Sequence, residues 1–180
     1  MGAGELKAVV VDAGPLIHLA EISCLKFLNI FDALHIPDAV WLETVAQGRL
    51  SLSDLSSIQN IQRHSPPASE VEQFVKENKL LNLHSGEQEC LLVCLTEGIS
   101  MLLTDDMAVR GAAKQLEILP VGSLGIVVSV FKRGYLNLQG AERCIADLYD
   151  TSSLFVTRAI AELAIEKVRA AARDQEKERS

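Results

Sequence analysis

The chain has 180 residues, with 17 Lys or Arg against 24 Asp or Glu, a formal charge of −7, and 48% hydrophobic residues. That length and apolar content suit one sizeable core rather than two, so we expect a single domain over residues 1–180. The acidic balance and the lack of any Lys/Arg run exclude a long basic face that holds nucleic acid by itself, so a polyanionic ligand would need a cation or a local basic patch.

KAVVVD, from Lys7 to Asp12, is a short continuous apolar run and predicts a buried parallel strand. Gly14 makes the turn and Pro15 suits the start of a helix. LKFLNIFDAL predicts a helix, LHI a short strand, and PDAVWLETVAQG a helix closed by Gly48. The Ser-rich RLSLSDLSSIQNIQRHSPPAS reads as loop with one strand at NIQRH. Helices are predicted over SEVEQFVKENKL and HSGEQECLLVCLTEG, the second with the S-x-x-Q spacing of a capping box at Ser85 and Gln88. ISMLLTDD is a second buried strand running into acids, MAVRGAAKQLE the helix it feeds, and ILPVG a third strand. SLGIVVSVFKRGYL, GAERCIADLYD and SSLFVTRAIAELAIEKVRAA predict three closing helices, those from about residue 139 being additions to the α/β unit; the last frays into RDQEKERS. The apolar spacing of that last helix reads as core packing. Alternating strands and helices imply an α/β three-layer sandwich with a mainly parallel central sheet flanked by helices.

Cys24, Cys90, Cys94 and Cys144 form no C-x-x-C pair, the pattern of reduced core thiols in a cytosolic protein. His18, His35, His64 and His84 are scattered, so zinc is not expected. AVVV is too short for a signal peptide, and Gly2 lacks the Ser or Thr at position 6 that a myristoylation signal requires. No apolar stretch approaches the ~20 residues that span a bilayer. A soluble, cytoplasmic protein without membrane partners is expected.

In a parallel sheet, ligands gather beyond the carboxyl ends of the strands, where Asp12 and the pair Asp105 and Asp106 fall. Taken alone, each has an ordinary role: Asp12 as a cap after the first strand, and Asp105 or Asp106 as a cap with Asp106 pairing to Arg110 at i, i+4. Together they share one rim. Two carboxylates about 4 Å apart repel by roughly 4 kcal/mol at an effective dielectric near 20, and a divalent cation relieves that repulsion. Oxygen ligands alone suit Mg²⁺ or Mn²⁺. Glu87 and Glu89 compete for a third place; Glu87 lies on the helix stripe of Cys90, Leu91 and Cys94 that should face the sheet, whereas Glu89 leans to its edge. Glu43 sits beside the apolar face of Trp41, Leu42 and Val45, and periodicity alone would leave it a solvated helix acid.

VVVDAGPLIHLAEI, IPDAVWLETV, SGEQECLLVCLTEGISMLLTDDMAVRGAA and ILPVGSLGIVVSVFKRG together resemble a PIN domain, in particular the VapC-like branch with a G-E-x-E helix. The resemblance implies a metal-dependent endoribonuclease with one or two Mg²⁺ or Mn²⁺ ions in an acidic pocket. Its acids correspond to Asp12, Glu43, Glu87 and either Asp105 or Asp106, with Asp12, Glu87 and Asp105 or Asp106 as metal ligands, Glu43 as a ligand or a base orienting water, and Arg110 as an orienting or phosphate-touching residue. Glu87 departs from the Asp common at that position in the wider family. The resemblance further implies an RNA substrate in single-stranded or loop regions, a homodimer, and, if the chain is a toxin, a small antitoxin partner. The rival reading is a PIN-like binding or regulatory domain that does not cut. A phosphoaspartate phosphatase is disfavoured because Gly14 replaces the second acid of D-x-D, and a receiver because the acidic pair follows the late strand.

Overall fold

Three consecutive valines form β1 (Val9–Val11), and all three are fully buried, as a strand covered on both faces requires. The computed structural model describes residues 8–179, so Lys7 of the first predicted strand, the segment containing Gly2, and Ser180 lie outside it. The other strands are β2 (Leu34–Pro37), β3 (Ile61–His64), β4 (Met101–Leu103) and β5 (Leu119–Val121). All pair in parallel, in the order β3-β2-β1-β4-β5. From β1 the chain steps outward through β2 and β3, then returns to lay β4 and β5 on the other side. The order therefore reverses between β1 and β4, the switch point at which parallel sheets open a crevice.

Helices flank the sheet, giving the α/β three-layer sandwich of a PIN-like fold. Helix α1 (Ala13–Glu21) follows β1; α2 (Asp38–Trp41) follows β2 and runs into a π-helical turn (Leu42–Ala46). Then come α3 (Leu52–Ser56), α4 (Ala68–Glu77), α5 (Ser85–Thr96), α6 (Met107–Gln115), α7 (Ser123–Lys132), α8 (Leu138–Asp150) and α9 (Arg158–Arg179). Helix α5 packs on β1, β2 and β4, while α7 packs with α1, α8 and α9. Ala161, Ala164 and Val168 of α9 are buried at helical spacing in that second layer. No helix among the described residues is long and apolar enough to cross a membrane.

Four local expectations change. LKFLNIFDAL forms a 3₁₀ turn (Leu25–Ile30) rather than an α-helix; its buried pairs Leu25/Leu28 and Phe27/Ile30 are three apart, the period of that helix. The Ser-rich loop contains α3, because Ser51 Oγ accepts from Asp54 N at 3.0 Å while Asp54 Oδ2 accepts from Ser51 N at 2.8 Å, a reciprocal cap. Residues 152–157 are not helical: Ser153 N and Oγ donate to Glu21 Oε2 at 2.7 and 3.0 Å, holding the segment against α1, and α9 starts only at Arg158. That helix then continues to Arg179 instead of fraying after Ala172.

Candidate functional site

Asp12 leaves β1 at the switch point. Its backbone N–H donates to Leu103 O at 3.0 Å, which sets it beside the end of β4, and its side chain caps α1 by accepting from Ala13 N at 2.8 Å. Thr104, fully buried, donates its hydroxyl to Asp12 Oδ2 at 2.8 Å. Asp12 is only 6% exposed. Burial pushes its pKa up to about 6 against the pull of the Thr104 and Ala13 hydrogen bonds, with Glu87 and Glu43 adding to the rise.

Glu87 arrives on the first turn of α5. Cys90, one turn later, is fully buried with Sγ 3.8 Å from Val11 O, so α5 lies directly against the end of β1. His84 takes the N-cap place instead of Ser85, and its N–H donates to Glu87 Oε2 at 2.8 Å. Gln88 does not complete a box with Ser85; its amide donates to Leu80 O and Leu83 O at 3.1 and 2.9 Å. The Glu87 carboxyl is pushed above its usual range by burial, despite the His84 bond, with Asp106 and Glu43 contributing. Glu89 faces elsewhere: Oε2 accepts from Ala39 N at 3.0 Å and so holds the first turn of α2 against α5.

Glu43 sits on the π-helical turn, whose i→i+5 bonding is rare and recurs at functional sites. Its Oε2 would lie 3.6 Å from a Cβ placed on Gly86, which puts it beside the start of α5. The two Asp residues after β4 differ in how their oxygens are used. Asp105 accepts three bonds, from Ser123 N at 2.7 Å, Ser123 Oγ at 2.6 Å and His18 Nδ1 at 2.8 Å, tying α1 to the start of α7. Asp106 caps α6 through Oδ1 alone, accepting from Ala108 N at 2.7 Å and Val109 N at 3.0 Å. Its second oxygen is thereby left for another partner.

Asp12, Glu43, Glu87, Asp105 and Asp106 all line one cavity of about 860 Å³, with His18, His84 and the segment around Phe155 in its wall. Arg110 does not line it. Its Nη1 donates to Thr104 O at 3.1 Å instead of forming the i, i+4 pair with Asp106, and it lies on an adjoining groove that shares Asp105 and Met107 with the cavity. Thr104, His18 and Ser123 had no motif to mark them; only the position of Thr104 before the acidic pair could have suggested a role. The donor set is carboxylate oxygen around a buried Asp whose ionised form is disfavoured, an arrangement that fits a hard divalent cation. A family model for the PIN domain matches residues 8–170. No curated protein and no solved structure matches the chain significantly. The shared rim of acids, the parallel sheet and that match over most of its length agree: this chain belongs to the PIN domain family.

Proposed function

We propose that the chain is an endoribonuclease of the VapC-like branch, a single nuclease domain hydrolysing RNA phosphodiester bonds at the acidic cavity with one or two Mg²⁺ or Mn²⁺ ions. The observation that carries this reading is Asp12: a buried carboxyl, pushed up to about 6 by burial and further by Glu87 and Glu43, whose side-chain partners among the described residues are the neutral Thr104 hydroxyl and the Ala13 amide. Asp12, Glu87 through its unengaged oxygen, and Asp106 through Oδ2 would hold the ion. When bound, the ion supplies Lewis acidity that activates water and offsets charge on the phosphate. Thr104 fixes the orientation of Asp12, and Glu43 orients the attacking water and accepts its proton. Asp105, which accepts from His18 and Ser123, sets the spacing between the cavity and the adjoining groove.

The groove supports a polyanionic substrate despite the net charge of −7. It encloses about 780 Å³ and is rimmed by Arg110, Lys114, Lys132 and Lys167 over an apolar floor including Val128 and Leu163. Lys114, Lys132 and Lys167 take part in no ion pair among the described residues. A single strand laid there would pass its backbone into the cavity at Asp105 and Met107, with Arg110 as the nearest phosphate contact. A cytoplasmic toxin with an antitoxin partner and a homodimeric state belong to the same reading.

The test incubates purified protein with labelled structured RNAs and Mg²⁺ or Mn²⁺, with chelator and Asp12→Asn as controls. Metal-dependent products, lost with chelator and reduced at least ~100-fold in Asp12→Asn, are expected, since even outer-shell partners of a metal site are worth about 10–100-fold. Failure to cut any RNA class, with the metal bound, would make the chain a non-cutting PIN-like binding domain.

A further inference from the structure

The four histidines give no metal-binding spacing along the chain, yet the sheet brings two of them together. β2 and β3 pair with His35 opposite Gln62 and Pro37 opposite His64, so the two histidines are diagonal neighbours on one face. His35 Nδ1 and His64 Nε2 are 2.7 Å apart. Their ring centroids are 4.8 Å apart with 21° between planes, so the rings meet nearly edge to edge and their nitrogens face one another. Glu97, at the end of α5, places Oε1 3.7 Å from His64 Nδ1. One ligand atom from each of the three lies within 4.8 Å of the others.

A single shared proton accounts for the imidazole contact. The His35 residue is 6% exposed, while the Glu97 side chain is 44% exposed and opens the cluster to solvent. Two imidazoles and a carboxylate form a borderline donor set, unlike the all-oxygen cavity, and none of the three lines that cavity. We propose that His35, His64 and Glu97 form a site for a divalent ion of the zinc class. At metal–nitrogen distances of about 2.0–2.1 Å, tetrahedral donors stand about 3.3 Å apart. The two rings part by roughly 0.6 Å, and the half-exposed Glu97 side chain swings from the Nδ1 side of His64 towards its Nε2 side to reach the ion, with water completing the shell. Because β3 is an edge strand whose sheet neighbour is β2, the ion clips that edge to the end of α5.

The test titrates Co²⁺, then competing Zn²⁺, into the full chain with excess Mg²⁺ present to fill oxygen sites. One equivalent of Co²⁺ with the visible bands of a tetrahedral, imidazole-bound ion is expected, displaced by Zn²⁺. His64→Gln should weaken uptake at least ~100-fold and Glu97→Gln about 10-fold. Zn²⁺ should raise the melting temperature of the native chain but not of His64→Gln. Absence of the bands, or equal uptake by native and His64→Gln chains, overturns the site. If circular dichroism shows His64→Gln unfolded, Glu97→Gln decides: unchanged affinity there overturns it equally. RNA cleavage is unaffected by either outcome, so this proposal and the nuclease reading fail separately.

Discussion

The acidic cavity and the groove beside it share Asp105 and Met107 but handle charge in opposite ways. In the cavity, carboxylates from the ends of β1 and β4 and from the first turn of α5 face one another, and burial together with mutual repulsion raises Asp12 and Glu87 above their usual range. In the groove, three lysines that form no ion pair among the described residues stand beside apolar side chains, while its acids are engaged: Asp105 with His18 and Ser123, Asp174 with Lys177 at 3.9 Å. The cavity thus gathers mutually repelling carboxylates, whereas the groove gathers cationic side chains. A chain that is acidic overall can bind a polyanion when its few cations are grouped where the substrate must pass.

The comparison breaks first at Asp12. Its folded pKa of about 6 stands above the ordinary carboxyl value of 3.8, so the folded chain keeps the proton longer than the unfolded one. Without metal, the stability tied to that proton is fully present below the unfolded value and is lost as pH rises through about 6. That rise is worth about 3 kcal/mol. Denaturant melts in chelator should therefore find Asp12→Asn more stable than the native chain by about that amount at neutral pH, with the advantage gone at acid pH. Mn²⁺ at a thousand times its dissociation constant should reverse the order, because it adds ~4.1 kcal/mol to a chain that binds it.

Charge reversal in the groove has the next largest effect. Lys114→Glu with Lys167→Glu should weaken single-stranded RNA binding about 10-fold at low salt and flatten its salt dependence, measured in chelator so that no cutting occurs. Unchanged binding would place the substrate path elsewhere. The smallest effect separates the groove from ordinary helix ends. Gly98 and Glu117 close α5 and α6 with the same left-handed turn, at φ of 66° and 60°, each followed by a bond back into the helix (Ile99 N to Cys94 O at 2.8 Å, Ile118 N to Ala113 O at 2.9 Å). Gly98→Ala should cost about 1 kcal/mol and Glu117→Gly should gain a similar amount, read from urea midpoints, with RNA binding unchanged in both.

Much of the frame was legible because it depends on local pattern. β1 and β4 are continuous apolar runs ending in acids, which is how a strand buried on both faces must look, and α5 to α7 follow from helical spacing. Asp12, Glu87, Asp105 and Asp106 could be placed on one rim from that alone. Glu43 could not, since its position depends on a π-helical turn and on the bare backbone at Gly86, neither of which leaves a periodic trace. The roles of Asp105 and Asp106 separate only when Ser123 and His18 are in place. His35 and His64 are neighbours through strand register, which no spacing along the chain encodes. The segment 152–157 carries a helix-like pattern, but Glu21, far away in sequence, captures Ser153 and holds the backbone open beside the cavity.

Titration calorimetry with Mn²⁺ tests the central claim most directly, since it asks whether the facing carboxylates of Asp12 and Glu87 are reconciled by a dication, with Zn²⁺-class sites blocked beforehand by one equivalent of Zn²⁺. The native chain should bind Mn²⁺, and Asp12→Asn and Glu87→Gln should each lose most of that binding. Undiminished Mn²⁺ affinity in both variants would contradict it.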